Sequence, residues 1–550
     1  MDSVGLAAKN LRLGLDPSKL NEEFKAYQRT FWPERLIFDY LDETADSYPM
    51  RPAIVEHRAS GTPGIRLTYR ELRDQSRRIA LTLLKLGIVP GDVVSFQLPN
   101  WWQATALHLA CVRIGAITNP LVPIFREREL RFMLTFGEAK MVIMPETFRG
   151  HNYRKMWEGL APDVPNVRHA FFIGSEQDDL ADAIAETGDV TPDDLERLAA
   201  LRPSPDAVTQ LMYTSGTTGE AKGVLHSSNT LLGCAMALVN HLGLDRENVY
   251  MGSPVGHQVG FVWGILLPLV VGGTAVFQDV WDPAVACKLI AQEKVSFSVA
   301  STPFLADLVE AAKSHGGPFA SFSKFVCAGA PIPRGLVMRG PKELGPQIFS
   351  CWGMTENGAV TVTGIEDSIE KITGTDGRAI GGNAVRIVDR EGTILPSGVE
   401  GELQSRAPGM TLGYLKRPDL FPADEDGWMD TGDLAIMDGD GYIRITGRSK
   451  DIIIRGGENV PVVEIENLLY GHPAIQDVAI VAMPDERLGE RACAYLTLKE
   501  GMGPLELVDI VSYLKDRKVA AQYLPEEVVT IDEMPRTPSG KIQKVRLREM

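Results

Sequence analysis

With 550 residues the chain is too long for one ordinary core and calls for two or more domains. Apolar residues at 44% and charged residues at 23% are ordinary globular values, which argues against a disordered or fibrous chain. The formal net charge of −16, from 72 acids against 56 bases, excludes a general nucleic-acid or membrane-surface binder but leaves room for a local basic pocket that takes a polyanion.

The chain opens Met1-Asp2-Ser3, with charges at Lys9, Arg12, Asp16 and Lys19 and no apolar signal-peptide core. Thr68 followed by Glu71 reads as a capping box. Leu72, Ile79, Leu83 and Leu86 then share one helical face, and Gly87 is the expected stop. Pro90-Gly91 makes a turn, and Val93 to Leu98 reads as a strand. Similar units recur at Met141 to Met144, Thr274 to Phe277 and Val295 to Ala300, an alternation that predicts α/β sheets covered by helices. The stretch from Gln258 to Gln278 carries no charge, yet Pro268 and Gly272-Gly273 interrupt it. A buried helix followed by a core strand is expected there, and no membrane span. The texture changes after Trp428, where Asp430-Thr-Gly-Asp433 and Asp438-Gly-Asp-Gly441 alternate with short strands at Tyr442 to Thr446 and Ile452 to Ile454. The last hundred residues predict a small α+β domain: a helix after Pro461, strands near Val478, Ala494 and Val528, and a helix near Leu505 to Lys515. The expected boundary separates 1–449 from 450–550. The six cysteines (Cys111, Cys234, Cys287, Cys327, Cys351 and Cys493) are scattered, with no C-x-x-C signature, and read as buried thiols of a reducing compartment such as the cytoplasm.

The most telling run is Tyr213-Thr214-Ser215-Gly216-Thr217-Thr218-Gly219-Glu220-Ala221-Lys222-Gly223. Glycines let backbone N–H groups close around an anion, with hydroxyls and one ammonium as further donors. It fails the Walker test, since its spacing is Gly216-x-x-Gly219-x-x-Lys222-Gly223. Five further segments follow: Ser253-Pro-Val-Gly-His257; Cys327-Ala-Gly-Ala-Pro331; Trp352-Gly-Met-Thr-Glu356; Asp430-Thr-Gly-Asp433 with Gly447-Arg448-Ser-Lys450-Asp451 and Arg455-Gly-Gly-Glu-Asn459; and Pro535-Arg-Thr-Pro-Ser-Gly-Lys541.

These six segments, in this order, resemble the adenylate-forming superfamily of acyl- and aryl-CoA synthetases, nonribosomal adenylation domains and luciferases. The resemblance spans essentially the whole chain. It implies a large N-terminal α/β domain of layered sheets that binds AMP, a small mobile α+β C-terminal lid, and the substrates ATP, CoA and a carboxylic acid, with Mg²⁺. The acid's carboxylate attacks the α-phosphorus of ATP, pyrophosphate leaves, and a thiol then takes the acyl group. The two meeting anions call for neutralisation and in-line positioning.

By the same resemblance, Tyr213, Thr214, Ser215, Gly216, Thr217, Thr218, Gly219 and Lys222 grip the phosphates. Glu356 with Thr214 is the candidate metal site, since Mg²⁺ takes one or two carboxylates plus phosphate oxygens. Asp433 and Arg448 reach the ribose. Trp352, standing where tyrosine is usual, stacks on adenine beside Gly353, Met354 and Thr355, with Gly329, Ala330 and Pro331 as the opposite wall. Lys541 bridges carboxylate and α-phosphate as a point charge. Lys450 is the pivot about which the lid turns to present Gly456, Gly457, Glu458 and Asn459 to the pantetheine arm. The acyl pocket falls to His257, Gln258, Val259, Phe261, Phe304, Ala328 and Gly353, with His257 flanking the carboxylate. Glu220-Ala221 stands where a proline more usually precedes the lysine, and adds negative charge near the phosphates.

Segments Pro254 to Phe261, Val280-Trp-Asp-Pro283 and Asp485 to Glu490 are similar to bacterial short- and medium-chain acyl-CoA synthetases and cyclohexanecarboxylate–CoA ligases. The expected acid is cyclic or medium-chain and apolar. A fatty-acid–CoA ligase, transfer of the acyl-adenylate to a carrier-protein thiol, and a non-enzymatic acyl-adenylate binder stay open as alternatives, as do monomer and homodimer.

Overall fold

The computed structural model describes residues 12–59, 64–214, 221–328, 332–449, 453–455, 458–485, 489–537 and 540–550. Among them the strands form two large sheets, a third of four strands, a fourth of five, and a two-stranded pair.

The first large sheet runs Arg378–Ala379, Gly358–Val362, Gln347–Met354, Lys324–Ala328, Phe297–Ala300, Val249–Met251, Thr274–Gln278, Pro52–His57, Ile65–Thr68. Its inner strands are parallel, with Phe325 opposite Ile348 and Val299 opposite Val326. Both of their faces are covered, so they read as unbroken apolar runs. The second runs Gly413–Tyr414, Lys222–Ser227, Val208–Thr214, Ile117–Pro120, Val93–Phe96, Ala139–Pro145, His169–Ile173. Both sheets contribute to one core: Ile54 and Phe277 come from the first, Val94, Met141 and Met212 from the second. The helices Tyr69–Lys85, Trp102–Ile114 and Ser228–Leu242 join that same core. The middle one is buried at every position from Ala104 to Ile114, as a helix walled in on all sides must be.

The start of helix Tyr69–Lys85 bears out its sequence signal. The Thr68 side chain accepts from the Glu71 N–H while Glu71 reaches back to the Thr68 N–H at 2.8 Å. Leu72, Ile79 and Leu83 are fully buried, Leu86 is half-buried, and Gly87 takes a φ of +79° just past the end. The uncharged stretch is less regular than its composition suggests. It holds a short turn Gln258–Gly260, a π-helical turn Phe261–Leu266 and a last turn Leu267–Val271, before the strand Thr274–Gln278. Pro268 has no N–H to give the carbonyl four residues back, so the ladder slips and Leu267 N–H bonds to Val262 instead. Among the described residues no helix is long and apolar enough to cross a membrane.

The region after Trp428 is more sheet-like than its turn residues imply. Asp430 to Asp433 lies inside a nine-residue strand, Met429–Met437, not in a turn between strands. That strand joins Ala384–Val388, Glu400–Arg406 and Ile443–Arg448 in the four-stranded sheet. Gly432 takes a φ of +69°, and its N–H closes onto Asp430 Oδ1 at 2.9 Å, yet pairing resumes on both sides. The five-stranded sheet begins after it, with Glu458–Val460, Ile453–Arg455, Gly489–Leu498 and Ile475–Asp485 in order, and Glu527–Thr530 beside Gly489–Leu498. The helices Val462–Tyr470 and Leu507–Asp516 share its core through Ile465, Leu469, Ile510 and Leu514. The chain therefore has a large N-terminal α/β part and a small C-terminal α+β part.

Candidate active site

The strand Gln347–Met354 carries Trp352, Gly353 and Met354 to the end of the first sheet and turns back into Gly358–Val362. Only glycine fits at 353, because a Cβ there would lie 1.8 Å from the Gly358 carbonyl oxygen. Thr355 and Glu356 sit in the turn. Met354 N–H bonds to Asn357 Oδ1 at 2.8 Å, and Asn357 Nδ2 donates to Ser405 at 3.0 Å. Glu356 is 7% exposed; its carbonyl accepts from Thr411 N–H at 2.6 Å, and its Oε1 accepts from the Tyr414 hydroxyl at 3.0 Å.

The second sheet supplies the other half of the large lobe. Strands Val208–Thr214 and Lys222–Ser227 are antiparallel, with Thr214 opposite Lys222 and Tyr213 opposite Gly223, so the predicted phosphate loop is the connection between them. Tyr213 is buried and donates to the Met133 carbonyl at 3.0 Å, which turns its hydroxyl away from the loop. Ser215, Gly216, Thr217, Thr218 and Gly219 lie outside the described residues, as do Gly329, Ala330, Pro331, Lys450, Gly456 and Gly457; Glu458 is described only as the first residue of a strand. His226, on the same strand as Lys222, is fully buried, with Nε2 2.8 Å from the Thr355 carbonyl. A carbonyl only accepts, so Nε2 carries the proton. Burial pushes this imidazole down to about 4, so it stays neutral.

Asp433 is 4% exposed, and both its oxygens are held: Oδ2 accepts from Trp352 Nε1 at 2.9 Å and Oδ1 from Arg448 Nε at 2.8 Å. The tryptophan that replaces the usual tyrosine therefore does more than offer a ring. Its indole fixes the carboxylate, and it packs with Val360, Ile387 and Leu403.

Lys541 comes from the small lobe, at the end of a tight reversal. Thr537 N–H bonds to the Lys541 carbonyl at 2.7 Å and Gly540 N–H to the Thr537 carbonyl at 2.9 Å. Arg536 ties the reversal down through the Gly540 carbonyl, at 2.6 Å, and Asp477. Gly540, at φ +84°, passes so close to the large lobe that a Cβ would lie 3.3 Å from Ser301 Oγ. Lys541 is exposed as a residue, although protein atoms crowd its ammonium. Burial and the Arg448 guanidinium hold its pKa below an ordinary lysine's, against the opposite pull of Asp433 and Glu356. Glu356 from a turn of the first sheet and Asp433 and Arg448 from the four-stranded sheet thus act on one amine.

On the acyl side, His257 caps the turn after it, its Nδ1 accepting from Val259 N–H at 3.3 Å. Burial, with the Lys541 ammonium nearby, pushes His257 down to about 4, so it is a neutral ring with its proton on Nε2. Val259 and Phe304 are half-buried, and Phe304 meets Trp281 edge-on at 4.7 Å between centroids. Gln258 and Ala328 are buried. Phe261 is fully buried with its ring against His108, 4.7 Å between centroids, which directs it into the core.

A magnesium ion fits the Glu356 corner. One carboxylate, oriented at a single oxygen, is what this ion takes when phosphate oxygens complete its shell. No group of three or more His, Cys, Asp or Glu that would cage a metal without phosphate occurs among the described residues. Sequence reasoning missed Tyr414, Thr411 and His226, which hold the Thr355-Glu356 turn. They lie 58, 55 and about 130 residues from it in the chain, so local spacing carries no sign of them.

The family described as AMP-binding enzyme matches residues 41–415, and the AMP-binding enzyme C-terminal domain matches residues 464–541. A medium-chain fatty-acid–CoA ligase of Escherichia coli (strain K12) is 35% identical over 534 residues, covering 96% of this chain and 93% of the relative. A salicylyl-CoA synthase / salicylate adenylyltransferase of a Streptomyces species is 31% identical, covering 94% and 93%. ATP-bound MatB from Rhodopseudomonas palustris superposes with a TM-score of 0.80 at 26% identity, over 94% of this chain and 99% of that one.

Proposed function

We propose, from the premise that this chain belongs to the AMP-binding enzyme family and is an acyl-CoA ligase working through an acyl-adenylate, that its acid is a medium-chain, apolar carboxylic acid. What supports this reading is that residues expected to line the acyl pocket, His257, Val259, Phe304 and Ala328, carry no charge, with His257 held neutral beside Lys541. A neutral His257 cannot pair with a second charge on the substrate, whereas apolar walls reward added methylenes.

The residues divide the work as follows. Asp433, pre-aimed by Trp352 and Arg448, receives the ribose hydroxyls, and the loop ending at Lys222 takes the β- and γ-phosphates. Glu356 would hold magnesium, which supplies charge neutralisation on the phosphates when bound with ATP. The acid's carboxylate oxygen attacks the α-phosphorus, a new P–O bond forms, and pyrophosphate departs. Lys541 stands over this event as a cation that faces both anions. Withdrawal of Lys541 by rotation of residues 450–550 then admits CoA, whose thiol attacks the mixed anhydride and releases AMP.

The test is a panel of acids with ATP, with and without CoA, read as pyrophosphate and acyl-CoA. The highest kcat/KM is expected for acids of about six to ten carbons, each methylene lost costing several-fold. Cyclohexanecarboxylate is the second arm, favoured by the aromatic wall of Phe304 on Trp281. Preference for acetate or an amino acid overturns the reading. Adenylate that forms but never reaches CoA points instead to a carrier-protein thiol.

A further inference from the structure

Strand Lys222–Ser227 has a second neighbour, the short strand Gly413–Tyr414, with Val224 opposite Tyr414. Tyr414 is 5% exposed and meets two charged groups at different parts of one ring. Its hydroxyl donates to Glu356 Oε1 at 3.0 Å, and the Lys222 ammonium sits 4.8 Å from its ring centroid. The hydroxyl bond is charge-assisted, and the ring face attracts the cation through its quadrupole. Burial and the Glu356 charge raise the phenol's pKa, so the proton stays on oxygen as donor. The rest of the turn is already fixed by Thr411 on the Glu356 carbonyl and His226 on the Thr355 carbonyl. Those bonds hold the backbone of the turn, and the Tyr414 hydroxyl holds the Glu356 carboxylate itself.

We propose that Tyr414 is a positioning residue that holds Glu356 at its edge and Lys222 on its face, so that the two charges do not collapse onto each other before nucleotide arrives. The carboxylate is then offered to the metal and the ammonium to the phosphates. This rests on the reading of Glu356 as the metal ligand and Lys222 as a phosphate ligand. Tyr414 makes no contact with reacting atoms in this scheme; it acts through its two neighbours.

The experiment measures binding of a non-hydrolysable ATP analogue by calorimetry while Mg²⁺ is titrated, without acid or CoA, in the full chain. Tyr414→Phe keeps the ring and removes only the hydroxyl. It is expected to raise the Mg²⁺ concentration for half-maximal binding about tenfold and to leave metal-free binding unchanged. Tyr414→Leu is expected to weaken metal-free binding as well, by about threefold, because Lys222 loses its aromatic face. A merely structural tyrosine would lower the melting temperature and leave the Mg²⁺ curve in place. Glu356→Gln is the reference. If it shifts the Mg²⁺ curve and Tyr414→Phe does not, the proposal is overturned while the Glu356 reading stands. If neither shifts it, the Glu356 reading itself fails and takes this one with it.

Discussion

The two lobes prepare their parts of the cleft in opposite ways. In the large lobe, Glu356 and Asp433 are buried and hydrogen-bonded within the protein, by Tyr414, Trp352 and Arg448. In the small lobe, the bonds around Lys541 hold its backbone: Lys541 N–H to Thr537 Oγ1 at 3.1 Å, and the Thr537 N–H to the Lys541 carbonyl. Its ammonium reaches the cleft from the end of a reversal whose contact with the large lobe is Gly540 against Ser301 and Pro303. In the proposed scheme, recognition belongs to the large lobe and the charge that meets the transition state is carried in by the small one. Under that scheme, carboxylates already held by hydrogen bonds need little reorganisation on binding ATP, and a lysine carried by the small lobe leaves when the thiol must enter.

The sharpest way to break this contrast is Lys541→Ala. We expect the adenylation half-reaction, followed by pyrophosphate exchange, to fall about a thousandfold, and thioesterification from a supplied acyl-adenylate to stay within a few-fold. Equal loss of both half-reactions would make Lys541 part of the fixed apparatus. Trp352→Phe probes the rigid side: it keeps an aromatic face but removes the indole donor from Asp433. The KM for ATP is expected to rise about tenfold, with kcat much less affected; an unchanged KM would show that Arg448 alone suffices to hold Asp433. The smallest effect is in pH. In the proposed role Lys541 acts as an ammonium; its pKa lies below an ordinary lysine's, so its protonated fraction falls as pH rises through that lowered value. Adenylation should therefore decline on the alkaline side at lower pH than an ordinary lysine would dictate, while thioesterification from the supplied adenylate shows no such limb. A limb that persists in Lys541→Ala would assign it elsewhere.

What could be read in advance divides along similar lines. The Thr68–Glu71 capping box and the helix Tyr69–Lys85 were legible because their causes lie within one turn of chain. So were the strands Val93–Phe96, Ala139–Pro145, Thr274–Gln278 and Phe297–Ala300, whose burial leaves short apolar runs. The motif order placed Glu356, Asp433, Arg448 and Lys541 as a candidate set, and burial and charge do bring these four to one cleft. The extent of the four-stranded sheet was hidden, because Gly432 and the Asp430 turn imitate a chain reversal inside a strand. Tyr414 was hidden for a different reason: its meaning comes from pairing with Lys222–Ser227 across nearly 190 residues, and nothing local marks it. Phe261 was legible as large and apolar, but its direction is set by His108, on a helix 150 residues earlier.

All six cysteines are buried and unpaired. Burial pushes the thiols of Cys234, Cys327 and Cys351, which lie nearest the cleft residues in sequence, up to about 12. At neutral pH almost none of their sulfur is thiolate, the nucleophilic form. These thiols are thus poor rivals to an incoming sulfhydryl for a reactive mixed anhydride. A chromogenic disulfide added to the native enzyme should report that sulfhydryl alone, turning the protein's own inertness into a clean baseline for following each turnover.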